Sequence, residues 1–146
     1  MSQGWTGVVS EVLVTEEQIQ RRVGELGAAI SAEYAGLRPV LVGVLKGVCF
    51  FMADLLRAIT IPAEIDFMAI SSYRTVTTSP SVRLLKDLEI DIQGRHVLFV
   101  EDMVDTGLTL NYLVRNLRER QPASVQVCAL FDKARLRLVD LPLRYV

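Results

Sequence analysis

The strongest constraint on the fold is an apolar strand that runs through a short acidic turn into a helix. The strand, Val97 to Val100, is continuously apolar, as is typical of a strand covered on both faces in a parallel sheet. The apolar residues beyond the turn recur at helical spacing and are Leu110, Leu113, Val114 and Leu117. A strand and a helix joined so closely indicate an α/β sheet protein.

The turn that joins them has the composition of an anion-binding loop. If a helix begins here, the backbone N–H groups of residues 105–109 lack intrahelical partners and point towards any bound anion. Thr106 and Thr109 add hydroxyl donors, and Gly107 permits close approach. We therefore expect this loop to bind phosphate.

Two carboxylates at the end of the strand suggest that the site binds more than phosphate. Glu101 and Asp102 would repel phosphate, but they suit a ribose diol together with a divalent cation. The sequence has neither the Walker pattern Gly-x-x-x-x-Gly-Lys-Ser/Thr nor a Gly-x-Gly-x-x-Gly turn. A P-loop nucleotidase and a dinucleotide-binding domain are therefore disfavoured.

The remaining sequence predicts an alternation of helices and strands in a single domain over residues 1–146, without repeats or a linker. The first helix should begin at the capping box Thr15-Glu16-Glu17-Gln18. The other predicted elements are a strand at Val40 to Leu45, a helix at Val48 to Ile59, a strand around Ile65 to Ile70, a polar loop at Ser71 to Ser81 and a strand at Val125 to Phe131.

Charge and composition favour small-molecule partners. The formal net charge of −1, from 16 basic and 17 acidic residues, gives no general attraction to nucleic acid or to an anionic membrane. No apolar run approaches the roughly 20 residues that span a bilayer, so we expect a cytoplasmic protein. Cys49 and Cys128 are predicted to be small core residues, and His96 a residue at a strand edge.

Residues Val100 to Thr109 closely resemble the phosphoribosyl-pyrophosphate (PRPP) signature of type I phosphoribosyltransferases, and specifically of hypoxanthine-guanine phosphoribosyltransferases. The resemblance extends over nearly the whole chain, because Leu45-Lys46-Gly47, Ser72-Tyr73 and Asp132-Lys133 also match, in order. It implies a parallel-sheet type I phosphoribosyltransferase fold with helices on both faces and a flexible active-site loop.

The resemblance also implies a reaction. Such an enzyme transfers a phosphoribosyl group from PRPP to N9 of hypoxanthine or guanine, giving IMP or GMP and pyrophosphate, with Mg²⁺ as cofactor. Two alternatives remain open: a phosphoribosyltransferase for another base such as xanthine, and a regulator on the same fold that senses PRPP or nucleotides. A homo-oligomer, dimer or tetramer, is expected by resemblance, and exposed Phe50 and Phe51 are candidates for its subunit contact.

By resemblance, each site residue has an expected role. The residues expected to bind the 5′-phosphate are Asp105, Thr106, Gly107, Leu108 and Thr109. Glu101 and Asp102 are expected to bind the ribose and magnesium, and Lys46 and Gly47, after a cis peptide bond, to bind the pyrophosphate. Lys133 is expected to bind the purine O6, and Ser72 and Tyr73 to lie on the closing loop. Asp105 is also the candidate general base facing N7, or alternatively a helix cap. Arg137 is a weaker purine-site candidate, or else a solvated basic edge.

The end of the chain departs from the pattern. Related enzymes continue beyond a segment equivalent to Leu141 to Val146 into a C-terminal hood, which supplies a stacking aromatic residue, contacts to the purine 2-position and an aspartate for a second magnesium. None of these can be assigned in this sequence. We therefore expect either a fragment of a longer chain or a truncated form with altered activity.

Overall fold

The computed structural model describes residues 7, 9–73 and 81–146, with only the backbone of residues 72, 73 and 81. In chain order, the elements are α1 (Glu16–Glu33), β1 (Val40–Val44), α2 (Cys49–Ala58), β2 (Glu64–Tyr73), β3 (Ser81–Lys86), β4 (His96–Val104), α3 (Leu108–Arg118), β5 (Ser124–Asp132), a 3₁₀ turn (Ala134–Leu136) and β6 (Leu143–Tyr145). The predicted alternation of helices and strands is confirmed.

The described strands form one sheet in the order β3-β2-β1-β4-β5-β6. All neighbouring strands are parallel except β3, which runs antiparallel to β2 at one edge. The expected parallel sheet is therefore confirmed apart from the antiparallel edge strand β3, and it brings the carboxyl ends of β1, β4 and β5 to one edge. Among the described residues, no helix is both long and apolar enough to cross a membrane.

The structure corrects the prediction of a loop over residues 71–81. Strand β2 continues to Tyr73 and pairs with β3, so that Ser72 lies opposite Val82. In β3, partly buried Val82 and Leu84 alternate with exposed neighbours, which is the pattern of a strand with one covered face. Residues 74–80 of the predicted loop lie outside the described residues.

Helix α1 begins as the sequence predicts. Thr15 is its N-cap: the Gln18 N–H donates to Thr15 Oγ1 at 3.2 Å, and the Thr15 N–H donates to Gln18 Oε1 at 2.7 Å. This reciprocal pair satisfies two backbone donors at the helix start. Val23, Leu26 and Ile30 on one face of α1 are buried.

Helices cover both faces of the sheet, as expected. Successive strand residues point to opposite faces, so in β4 Phe99 packs with α3 on one side while Leu98 packs with α1 and α2 on the other. The prediction that Phe50 and Phe51 are both exposed is half wrong. Phe50 is 87% exposed, but Phe51 points into the core on the sheet side of α2.

The single histidine and both cysteines lie in structural positions. His96 begins β4, at the opposite end from the carboxyl edge, and its Nδ1 lies 2.8 Å from the Ser124 hydroxyl. Cys128 is buried in β5, and burial raises the pKa of its thiol to about 12. Cys49 is half-buried at the start of α2, and neither cysteine forms a disulfide.

Candidate active site

A cavity of about 410 Å³ opens at the carboxyl edge of the sheet. Its walls come from the turn after β1, the last residues of β4 and the loop that leads into α3. The predicted site residues that line the cavity are Gly47, Glu101, Asp105, Thr106, Gly107 and Thr109. Parallel strands direct their following loops to one side, so residues far apart in sequence meet here.

The loop before α3 has the conformation expected of an anion site. Gly107 is the N-cap of α3 in a left-handed conformation, with φ of 81°, and it offers no side chain to cap the helix. The Leu108 N–H makes only a long bond, 3.4 Å, to Thr106 Oγ1, so the N–H groups of the first turn can turn to a ligand. Asp105 does not cap the helix, so the alternative role considered for it is not borne out.

The segment after the 3₁₀ turn lies directly behind this loop. The Leu138 N–H donates to the Thr106 carbonyl at 2.9 Å. A Cβ placed on Gly107 would lie 2.9 Å from Leu141 Cδ1 and 3.0 Å from Arg137 Cδ. Gly107 is thus required twice, for its positive φ and for the close approach of the chain behind it.

Glu101 and Asp102 lie side by side at the end of β4. Burial first, and then the neighbouring Asp102 carboxylate, raise the pKa of Glu101 to about 8. Asp102 Oδ1 accepts the Met103 N–H at 2.8 Å. Among the described residues no basic side chain forms an ion pair with either carboxylate, and a cation bound there would favour the ionised form of Glu101.

The turn after β1 approaches these carboxylates. A Cβ on Gly47 would lie 3.2 Å from Asp102 Oδ2, so glycine allows the turn to lie against the Asp102 side chain. The Leu45-Lys46 peptide is cis, as the resemblance implies. Lys46 itself is exposed beside Gly47.

Lys133 contacts Asp105, which lines the cavity, but Lys133 itself is not among the lining residues, and neither are Lys46, Asp102 and Leu108. The Lys133 ammonium lies 3.0 Å from Asp105 Oδ1, and the two side chains are 49% and 55% exposed. The Lys133 N–H also donates to the Val104 carbonyl at 2.9 Å, which fixes the turn after β5 against the end of β4. The structure thus brings the purine-binding candidate and the general-base candidate into direct contact.

Arg137 occupies neither of its expected positions. Its guanidinium pairs with Asp132, and the side chain is only 17% exposed, so it is not a solvated edge. It is also not among the residues that line the cavity. The side chains of Ser72 and Tyr73, expected on the closing loop, lie outside the described part of the chain.

Sequence reasoning missed the apolar wall of the site. Met103 lines the cavity and is 42% exposed, and Val44, Ile70 and Leu110 line it as well. Met103 follows Glu101 by two residues in β4, so both side chains point to the same face of the sheet. That spacing is a signal that could have identified Met103 from the sequence.

No group of three or more His, Cys, Asp or Glu side chains in the described residues could hold a metal ion. Magnesium does not need such a group, because it usually binds through one or two carboxylates and completes its shell with substrate oxygens and water. Glu101 and Asp102 fit that donor set, because a crowded carboxylate pair is stabilised by a divalent cation.

A fold and site of this kind define a class of protein. The family model described as "Phosphoribosyl transferase domain" matches residues 11–144. The chain therefore belongs to the phosphoribosyltransferase family.

Within that family, the similarity is to the hypoxanthine-guanine enzymes. The hypoxanthine-guanine phosphoribosyltransferase of Streptococcus agalactiae is 51% identical over 139 residues, which cover 94% of this chain and 77% of the relative. A crystal structure of a hypoxanthine phosphoribosyltransferase from Staphylococcus aureus superposes with a TM-score of 0.93 and 39% identity, covering 100% of this chain and 80% of that one.

A third relative is a solved structure of the Trypanosoma cruzi hypoxanthine phosphoribosyl transferase, which concerns the role of the C-terminal region in oligomeric state and enzymatic activity. It superposes with a TM-score of 0.87 and 43% identity, covering 94% of this chain and 76% of that chain.

Proposed function

We propose that the protein acts in purine salvage, transferring a phosphoribosyl group from PRPP to hypoxanthine or guanine to give IMP or GMP and pyrophosphate. The observation that carries this proposal is the meeting of three groups around one cavity. These are the anion loop before α3, the carboxylate pair at the end of β4, of which Glu101 lines the cavity, and the Asp105–Lys133 pair, of which Asp105 lines it. Each group suits a different part of the two substrates.

The anion loop is proposed to bind the 5′-phosphate. The N–H groups of residues 105–109 and the hydroxyls of Thr106 and Thr109 provide donors at the N-terminal end of a helix. Such a site needs no lysine, because several aligned backbone dipoles stabilise the negative charge. This accounts for a phosphate site formed mainly from backbone amides.

Glu101 and Asp102 are proposed to bind the ribose diol and Mg²⁺. Bound there, Mg²⁺ would supply charge neutralisation for the leaving pyrophosphate. Glu101, protonated near neutral pH in the empty site, would lose its proton as positive charge arrives. The backbone N–H groups of Lys46 and Gly47 are proposed to donate to the pyrophosphate oxygens, which the close approach of Gly47 to Asp102 supports.

Asp105 and Lys133 are proposed to recognise the base. A 6-oxopurine offers a carbonyl acceptor at O6 and a nitrogen at N7, which match an ammonium donor and a carboxylate acceptor. Asp105 accepts the N7 proton as N9 attacks the anomeric carbon, or stabilises the charge that develops there. Entry of the base separates the Lys133–Asp105 ion pair; both side chains are about half exposed, so this separation costs little.

The donor on Lys133 gives base selectivity. An ammonium has no acceptor, so the 6-amino group of adenine would bring two donors together and leave both unpaired. An unpaired polar group in a closed site costs roughly 1–3 kcal/mol, so hypoxanthine and guanine should react in preference to adenine. Met103 offers an apolar surface for the flat base on the same wall as Glu101.

Ser72 and Tyr73 are proposed to belong to the loop that closes over the reacting centre. The backbone of both residues is the last part of β2, and β2 borders the cavity through Ile70. Closure would exclude water, which otherwise competes with the purine for an activated ribosyl carbon. We further propose that the enzyme works as a homo-oligomer in the cytoplasm.

The test is an assay of magnesium-dependent IMP and GMP formation from PRPP with hypoxanthine, guanine, xanthine, adenine or no base. Turnover with hypoxanthine or guanine, lost on chelation and absent with adenine, is the expected result. Turnover with xanthine alone would establish the alternative base. Binding of PRPP without turnover on any base would favour a sensing role instead.

A further inference from the structure

We propose that Arg137 is a positioning residue that aligns the anion loop, residues 105–109, for the 5′-phosphate. This role rests on the proposed function, because it concerns the same phosphate site. Arg137 does not line the cavity, so it acts through the loop and does not touch the substrate.

The side-chain stem of Arg137 packs directly behind the loop. Its Cδ lies 3.0 Å from the position that a Cβ on Gly107 would occupy, and Val139 Cγ2 lies 3.3 Å from the same point. Next to it, the Leu138 N–H donates to the Thr106 carbonyl at 2.9 Å. The loop is therefore supported from behind at two consecutive residues, Thr106 and Gly107.

The guanidinium anchors this support to the sheet. Arg137 Nη2 pairs with Asp132 Oδ1, and the side chains are 17% and 19% exposed. Asp132 ends β5 and lies in register with Val104, the last residue of β4 before the loop. The ion pair thus links the segment behind the loop to the two strand ends from which the loop and Lys133 emerge.

Packing alone does not account for an arginine here. The Arg137 Nε is buried and has no hydrogen-bond partner among the residues that the structure describes. An unpaired buried donor destabilises the folded state, whereas a methionine would fill the same space without that cost. The presence of a charged side chain at position 137 is explained if the guanidinium and Asp132 hold the loop in one conformation.

Loss of this support should weaken the binding of phosphorylated ligands selectively. An anion site made of backbone amides works only while several N–H groups point at one place. If the support behind Thr106 and Gly107 loosens, the affinity for a ligand with a 5′-phosphate falls. The affinity for a nucleoside without the phosphate should change little, because the lost support acts at Thr106 and Gly107, whereas Asp105 lies before them and Lys133 is fixed through its own N–H to the Val104 carbonyl.

The experiment compares Arg137→Met with Arg135→Met in the full chain. The first variant keeps most of the stem and removes the guanidinium, while Arg135 is an exposed arginine two residues earlier on the same 3₁₀ turn. Calorimetry measures the Kd for IMP and for inosine, and kinetics measures the KM for PRPP. For Arg137→Met, we expect the Kd for IMP and the KM for PRPP to rise about tenfold, as loss of a supporting partner does at metal sites.

The inosine Kd and the Tm should stay near the unsubstituted values in both variants, and Arg135→Met should leave every parameter unchanged. Asp132→Asn provides the second test if Arg137→Met does not fold, and the same selective loss for IMP is expected. Arg137→Lys, which keeps a charge, should recover part of the IMP affinity.

Three results would overturn the positioning role: unchanged IMP binding in Arg137→Met, an equal loss for IMP and inosine, or equal IMP affinity in the Lys and Met variants. If the unsubstituted protein binds neither IMP nor PRPP, then the proposed function itself fails, and the two failures are distinguishable.

Discussion

Asp105 carries most of the proposed chemistry at the scale of single residues. It lies in the anion loop, lines the cavity and pairs with Lys133, so one carboxylate is near both the phosphate site and the base site. Asp105 lies in the bend before Gly107 and is not the helix cap, so its carboxylate is half exposed and pairs only with the equally exposed Lys133 among the described residues.

Replacing Asp105 with asparagine tests its role as the base. The amide keeps the shape but cannot take a proton, so kcat with hypoxanthine should fall by about 10²–10⁴-fold. The Kd for PRPP should change little, because the backbone donors remain. Asp140→Asn, at an exposed position outside the cavity, is the matched control. An unchanged kcat in a folded Asp105→Asn protein would remove this residue from the mechanism.

Glu101 predicts a pH dependence of stability. Its pKa is about 8 in the folded protein and 4.5 in an unfolded chain, so between these values the native state holds a proton that the unfolded state has released. The free energy of unfolding of the empty protein therefore falls as pH rises through this window, by up to about 1.4 kcal/mol for each pH step.

Glu101→Gln cannot titrate and should lose this dependence. Urea unfolding without magnesium or PRPP should give a stability difference, variant minus unsubstituted protein, that grows from pH 5 to pH 8 and then levels off. Glu89→Gln, whose side chain is 82% exposed, serves as the control. A difference that does not vary with pH would show that Glu101 is ionised in the empty site.

Among the elements, those with long or strongly periodic patterns could be predicted from the sequence. The capping box of α1, the apolar stripe of α3 and the apolar run of β4 each carry their own signal. Strand β6 was missed because its three residues gain their conformation from pairing with β5, a contact between distant parts of the chain. The edge strand β3 was missed because it follows a polar segment.

Part of the candidate site could likewise be predicted from the sequence, and part could not. The loop and the carboxylate pair are contiguous in sequence and were recognisable as a motif. The approach of Gly47 to Asp102, the Lys133–Asp105 pair and the packing of Arg137 behind Gly107 are contacts between different loops. No local pattern encodes such contacts, because they depend on the order and register of the strands.

Asp66 links two elements and predicts a stability effect. It lies on β2 with 7% exposure, and its Oδ2 accepts the N–H groups of Glu89 and Ile90 at 2.7 and 2.8 Å. Burial opposes its ionisation, but these bonds and the Phe67 N–H lower its pKa overall. Asp66 thus holds the connection between β3 and β4 against the sheet.

Asp66→Ala should lower the free energy of unfolding by about 1–3 kcal/mol for each buried donor left unpaired. Chemical denaturation at pH 7 measures this loss. Because the folded pKa is lowered, the stabilisation by Asp66 is present above the unfolded value of 3.8 and is lost as pH falls through the folded value. Glu89→Ala, which retains the backbone donor, should cost far less, and equal losses would contradict the assignment.

For the whole molecule, the site lies where β1, β4 and β5 end, so ligands that join the loops after these strands should stabilise the entire fold. The sheet contributes the central strands of both hydrophobic clusters, and unfolding any of these strands would disassemble the site. Binding energy is therefore linked to global unfolding, and a ligand at 100 times its Kd adds about 2.7 kcal/mol.

Thermal unfolding should consequently separate the metal-dependent and metal-independent parts of the site. PRPP with Mg²⁺ at about 100 times its Kd should raise the Tm by roughly 5–10 °C. A chelator should abolish this shift if, as proposed, the pyrophosphate and diol are bound through Mg²⁺ at Glu101 and Asp102. The shift with IMP should survive chelation, because the proposed phosphate site in the anion loop uses backbone N–H groups. A PRPP shift that persists without metal would contradict the assignment of these two carboxylates to magnesium.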